Sequence, residues 1–142
     1  MLTSARVIYF IKRVEVEVTS LMIQYLGEYE ITPVQYTILS FIGINSTDFS
    51  SAQLSRRFRM TPQSMNEMVT NLLKKDLIEK NTDPNHKRIL RLTLTTKGEE
   101  VLQKCENAID IVEKKLMKNM SSEDIEQFKN LMGKVILASR ES

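Results

Sequence analysis

Gln63, Asn66, Glu67, Thr70 and Lys74 are the residues whose types and spacing promise chemistry. At about 100° per residue they share one side of a helix spanning 62–75. Met65, Met68, Val69 and Leu72 take the other side at i, i+3, i+4 and i+7, which is the spacing of a core stripe. The polar side offers amides and hydroxyls near the helix start, where an ordinary solvated face mixes Lys with Glu. An amide donates and accepts at once, which matches N6 and N7 of adenine in a major groove. Gln63 and Asn66 are therefore candidate base readers. Thr61, Ser64 and Thr70, with the free N–H groups of a helix opened by Thr61-Pro62, suit phosphate oxygens. Glu67 reads two ways: it accepts from a cytosine N4, or it turns away from phosphate.

A second basic element follows. The run Thr82-Asp83-Pro84-Asn85-His86-Lys87-Arg88 is rich in turn formers and carries a cationic pair. Leu77-Ile78-Glu79-Lys80 before it and Ile89-Leu90-Arg91-Leu92-Thr93-Leu94 after it read as two short strands. Together they predict a β-hairpin whose loop projects Lys87 and Arg88, suited to phosphates or an adjacent minor groove. His86 reads as a solvated loop residue.

These elements need a frame. Thr32-Pro33 starts a helix over 33–44 whose Val34, Tyr36, Ile38, Leu39, Phe41 and Ile42 make it apolar around most of its circumference, hence central. A short helix from Phe49-Ser50-Ser51 through Phe58 turns its Leu54 and Phe58 inward and carries Arg56 and Arg57, candidates for backbone phosphates. It meets the polar-faced helix through a tight turn at Arg59-Met60. Two short capped helices joined this way describe a helix-turn-helix. A major groove about 12 Å wide admits one such helix.

The flanks are helical. Residues 4–26 carry Val7, Ile11, Val14, Val18, Leu21 and Tyr25 at alternating steps of four and three, a packing seam. A helix of that length would run about 33 Å, so part of it needs a second surface. Thr95 or Thr96 caps the next helix, with Thr96 and Glu99 fitting a capping box, and it runs to about Asn119 with Leu102, Cys105, Ile109, Val112 and Leu116 inward. Ser121 with Asp124 opens the last helix, striped by Ile125, Phe128, Leu131, Met132, Val135 and Ile136.

Totals bound the reading. The 142 residues make one domain, and the net charge of +2 is unevenly spread. Residues 1–52 hold three Lys/Arg against five Asp/Glu, residues 53–91 nine against four, and residues 92–142 eight against nine. The positive charge sits with the helix-turn-helix and hairpin. One cysteine and one histidine rule out an internal disulfide and a Cys/His zinc site from this chain alone. No apolar run reaches the roughly 18 residues of a membrane span, and early charges break any secretory signal, so a cytoplasmic protein is expected. Neither a cofactor site nor a paired nucleophile, a phosphate-cradling glycine loop or a metal-spaced carboxylate pair is present, which argues against an enzyme.

At this point the residues carry a family likeness. Asp83-Pro84-Asn85-His86-Lys87-Arg88 with Leu92-Thr93-Leu94-Thr95-Thr96-Lys97-Gly98 resembles the wing and following helix start of the MarR family of bacterial transcriptional regulators. Ser51-Ala52-Gln53-Leu54-Ser55-Arg56-Arg57-Phe58 is similar to that family's supporting helix, and Leu72-Leu73-Lys74-Lys75-Asp76-Leu77-Ile78 to the end of its recognition helix. The resemblance covers nearly the whole chain.

It implies a mainly α fold with a small β-hairpin wing: a winged helix-turn-helix over 31–96, with 1–30 and 97–142 forming a dimerisation bundle. It implies a homodimer holding double-stranded DNA at a palindromic operator, with Gln53 and Pro62 added to the DNA-binding set. Val7, Ile11, Val14, Phe128, Leu131 and Val135 become expected dimer contacts. Repression relieved by a small aromatic or phenolic effector is also implied. Met22, Tyr25 and Tyr36 either line that pocket or belong to the core. Departures stand where the family often has glycine, at Arg59 and Asp76; His86 replaces the usual wing aspartate and Glu67 a common basic residue. The alternatives are a winged-helix module for protein–protein contacts and a redox-responsive regulator using Cys105.

Overall fold

The computed structural model describes residues 4–45, 50–83 and 85–141, with residues 45, 83 and 86–90 as backbone alone. Six helices and a two-stranded antiparallel hairpin follow in the order α1 (Val7–Leu26), a 3₁₀ turn (Gly27–Tyr29), α2 (Pro33–Asn45), α3 (Ser51–Arg57), α4 (Pro62–Lys74), β1 (Ile78–Asp83), β2 (His86–Leu94), α5 (Thr96–Leu116) and α6 (Ser122–Arg140). The fold is a winged helix-turn-helix flanked by long helices. Among the described residues no helix is long and apolar enough to cross a membrane.

The core gathers where the sequence is apolar on more than one face. Ile38, Leu39 and Ile42 of α2 are fully or nearly fully buried beside Leu54 of α3 and Met65, Val69 and Leu72 of α4. Leu77, Ile78 and Leu92 close it from the hairpin, and Cys105 and Ala108 of α5 complete it. Each such aliphatic side chain stabilises by about 1.5–3 kcal/mol relative to exposure.

Caps explain most helix starts. Thr32 Oγ1 accepts from Gln35 N–H at 3.1 Å, while Gln35 Oε1 accepts from Thr32 N–H at 3.0 Å, a reciprocal pair. Ser121 and Asp124 form the expected capping box of α6. At α5 the expectation needs correction: Thr95 alone is the cap, its hydroxyl accepting from Gly98 N–H at 2.9 Å. The third helical residue is then Gly98, so Thr96 and Glu99 form no box. Gly98 has its own reason to be there. A Cβ built on it would lie 1.9 Å from the Leu77 carbonyl oxygen, so only glycine lets α5 start against β1.

Three helix ends turn through left-handed residues that are not glycine: Glu30 (φ 57°), Arg59 (φ 50°) and Asp76 (φ 59°). After α4, Leu77 N–H donates to Leu72 O at 3.1 Å and Asp76 N–H to Leu73 O at 3.0 Å, the two bonds of a Schellman end. Buried Leu72 and Leu77 are the apolar pair of that motif.

Other boundaries moved. Helix α1 begins at Val7, later than 4, and α5 stops at Leu116, short of Asn119. The hairpin reaches further toward its tip, with Thr82 paired to Leu90 and Asp83 to His86 across an irregularity between Thr82 and Asp83. Cross-strand backbone bonds there outweigh the turn preferences of Asp83 and its neighbours. Phe49, expected to open α3, lies outside the described residues.

Candidate nucleic-acid interface

The site is assembled at the start of α4. Thr61 caps it, its hydroxyl accepting from Ser64 N–H at 3.1 Å, and Pro62 takes the first helical position, where a missing N–H costs nothing. Thr61 Oγ1 also donates to Ser64 Oγ at 2.9 Å. Burial of Met65, Val69 and Leu72 fixes the helix rotation, and the opposite face is left to solvent. Gln63, Asn66, Glu67, Thr70, Asn71 and Lys74 together line one shallow groove of about 630 Å³. Gln63, Asn66, Glu67 and Thr70 are thus brought together as the spacing predicts. Asn71 joins them unpredicted, although its place four residues after Glu67 was a sufficient signal.

The supporting helix holds that face from behind. Ser50 caps α3 in a box with Gln53, whose Oε1 accepts from Ser50 N–H at 2.9 Å. The same oxygen accepts from Arg91 Nη1 of β2 at 3.0 Å. Gln53 therefore spends its oxygen on the cap and the wing strand, leaving its amide N–H groups for a ligand. Ser51 Oγ donates to Asn66 Oδ1 at 2.8 Å, tying α3 to the polar face of α4. Through Arg91, Gln53, Ser51 and Asn66 the wing, supporting helix and α4 make one connected polar unit. Sequence reasoning missed Arg91, since nothing local marks its distant partner.

Arg56 and Arg57 are exposed on the last turn of α3 and line a cleft separate from the α4 groove. The Arg57 guanidinium sits 5.3 Å from the centre of the Phe41 ring. Lys87 and Arg88 belong to β2, and their side chains lie outside the described residues.

Met22 and Tyr25 pack against the core. Tyr36 packs against the core too, and also lines a cleft of about 260 Å³ with Thr37, Ser40, Phe41, Ile44, Phe58 and Arg57. Its hydroxyl donates to Glu106 Oε1 of α5 at 2.9 Å, and burial, then that carboxylate, pushes the phenol pKa well above its usual value. Cys105 is buried, and burial, helped by Glu106, pushes its thiol up to about 11. It stays protonated at neutral pH, unlike a reactive thiolate. Among the described residues no three His, Cys, Asp or Glu side chains gather as a metal site would require.

A capped helix with a polar outer face, a supporting helix across a tight turn and a hairpin beside them define a winged helix-turn-helix protein. Comparison with known proteins is specific. The family model described as MarR family matches residues 29–89. The uncharacterized HTH-type transcriptional regulator YsmB of Bacillus subtilis is 26% identical over 80 residues, 56% of this chain and 54% of its own, so the chain spans about half that relative's length. The multiple antibiotic resistance protein MarR of Escherichia coli is 24% identical over 117 residues, 82% of this chain and 81% of that one. A crystal structure of MarR from E. coli complexed with operator DNA superposes with a TM-score of 0.78 at 23% identity, covering 89% and 91% of the two chains. The S. aureus MepR–DNA complex gives 0.80 at 21%, covering 94% and 96%. The MarR-family match thus lies in residues 29–89, and over most of its length the chain is similar in fold to these MarR and MepR structures.

Proposed function

We propose that this chain is a homodimeric, cytoplasmic reader of double-stranded DNA that represses transcription at a palindromic operator. The observation that carries the reading is the α4 face: six polar side chains on one groove, backed by buried Met65, Val69 and Leu72. DNA-bound MarR and MepR share the fold, which supports the same use here. Residues 31–96 form the reading lobe in this proposal, and 1–30 with 97–142 the dimer-forming part.

Dimerisation is supported by apolar surface at the two ends of the chain. Val7 is 70% exposed and Val14 46% on α1, while Leu131 and Val135 on α6 are 53% and 54% exposed. An apolar stripe of that kind on two long helices marks an association surface. Effector relief is supported by the cleft at Tyr36, Phe41 and Phe58, with Arg57 at its wall. At about 260 Å³ it lies below the usual range of about 300–1,000 Å³, so only a small aromatic or phenolic ligand fits.

Selection of bound sequences from random duplexes tests the reading. The expected yield is an inverted repeat whose half-sites lie about 34–36 Å apart. Gln63→Ala and Asn66→Ala should each cost about 1–3 kcal/mol of binding per subunit and relax preference at one base pair of each half-site. A pool with no enriched sequence, or variants that keep full preference, would refute the proposal.

A further inference from the structure

The two arginines at the end of α3 belong to a larger group. Arg56, Arg57 and Arg59 line one cleft of about 430 Å³ together with Arg140, from the last turn of α6. All four are exposed, and among the described residues no carboxylate lines the cleft. Among the described residues none of the four takes part in an ion pair; those present join Lys12 to Glu15, Arg13 to Glu17 and Lys129 to Glu126. Glu141 is the nearest acid in sequence, exposed beyond the helix end. Four guanidinium groups around one space repel one another until an anion enters.

The cluster carries a cost at one corner and an anchor at another. Arg59 sits at φ 50°, a left-handed backbone where glycine is unstrained and a side chain is not. Stability is given up there and a cation is gained. Arg57 is held by its guanidinium over Phe41, 5.3 Å from the ring centre, so one corner of the cleft is fixed before any ligand arrives.

We propose that this cleft is a phosphate-binding site distinct from the base-reading groove. The planar guanidinium fork matches phosphate oxygens two at a time, and it keeps its charge at every relevant pH. At about 430 Å³ the cleft has room for two linked phosphates. Their source is either the DNA backbone beside the bases that α4 reads or a free diphosphate group. The first case rests on the DNA-reading proposal; the second does not. Since Arg140 ends a terminal helix, either ligand would tie α6 to the turn of the helix-turn-helix.

The test uses the full chain, wild type and Arg140→Gln, in two titrations. One is with the selected operator carrying long flanks, across a salt series; the other is with inorganic pyrophosphate at low salt. If the backbone is the ligand, Arg140→Gln lowers the slope of log K against log salt by about 0.9 for each DNA-bound subunit, with base preference unchanged. If a free diphosphate is the ligand, the variant weakens pyrophosphate binding about tenfold, one charge-assisted contact, and leaves the salt slope alone. Arg59→Gly adds a signature that a merely structural residue could not give: a higher melting temperature together with weaker anion binding. Unchanged behaviour of both variants in both titrations overturns the proposal while operator binding by the wild type still stands. Should the wild type bind no duplex, the DNA reading falls separately, and pyrophosphate alone decides the cleft.

Discussion

Helices α4 and α6 carry apolar stripes of the same spacing and meet opposite fates. In α4, Met65, Val69 and Leu72 are buried, and in α6 no residue is. Leu72 is fully buried, whereas Leu131 is 53% exposed. Periodicity of 3.6 residues states that a helix has an apolar side; it does not state what covers that side. The winged lobe closes on itself through α2 and α5, while the terminal helices leave their apolar stripes exposed.

One substitution made in both regions puts this contrast under test. Leu72→Ala should cost about 2–5 kcal/mol at any protein concentration, because the cavity opens inside a single chain. Leu131→Ala should change the stability of a dilute, monomeric sample by no more than about 0.5 kcal/mol. At high concentration it should lower the melting temperature, since lost association appears by mass action. Denaturant titrations at two concentrations a hundredfold apart check both. A Leu131 variant as damaging in the dilute sample as Leu72→Ala would break the comparison.

Helix starts were the most legible features, in both regions. Thr32-Pro33, Thr61-Pro62 and Ser121 with Asp124 mark helix starts through chemistry contained within four residues, and all three stand as read. The polar face of α4 follows from its buried stripe alone. What stayed hidden depends on distant partners. The Arg91–Gln53 and Tyr36–Glu106 bonds join residues 38 and 70 positions apart, which no local pattern reports. The convergence of Arg140 with the α3 arginines is of the same kind. Helix ends were obscured for another reason. Among the described residues no glycine has positive φ, and the left-handed ends fall to Glu30, Arg59 and Asp76, residues that signal nothing by themselves.

Alkaline pH sharpens the contrast from the lobe's side. Cys105 is at the heart of the core, with its thiol raised from an ordinary 9.0 to about 11 by burial first and Glu106 second. The folded state therefore keeps a proton that the unfolded chain releases. Its contribution is complete below pH 9 and is lost as the pH climbs toward 11. Stability should fall over that window, and Cys105→Ala should make the fall shallower, whatever constant offset its smaller volume adds. Tyr36 contributes loss of the same sign from its own ordinary value upward, so the readout is the difference between the two proteins. Identical slopes would mean that the thiol is not held in an apolar interior.

The smallest effect concerns the junction where α4 passes into the hairpin. Asp76 closes α4 at φ 59°, and its carbonyl accepts from Thr95 Oγ1 at 2.6 Å. Lys97 Nζ donates to the neighbouring Lys75 carbonyl at 3.0 Å. None of these bonds uses the Asp76 side chain, so glycine would preserve every one. Asp76→Gly should relieve the left-handed penalty and stabilise the lobe by about 1 kcal/mol, less whatever the unfolded chain gains in freedom. The matching change in the terminal region, Glu30→Gly at φ 57° beyond α1, removes the same kind of strain beside a helix whose outer face is unpaired. If the lobe folds as one closed unit, Asp76→Gly raises its melting temperature at every concentration. A loss of stability would show that the carboxylate itself, and not the backbone it sits on, holds that corner.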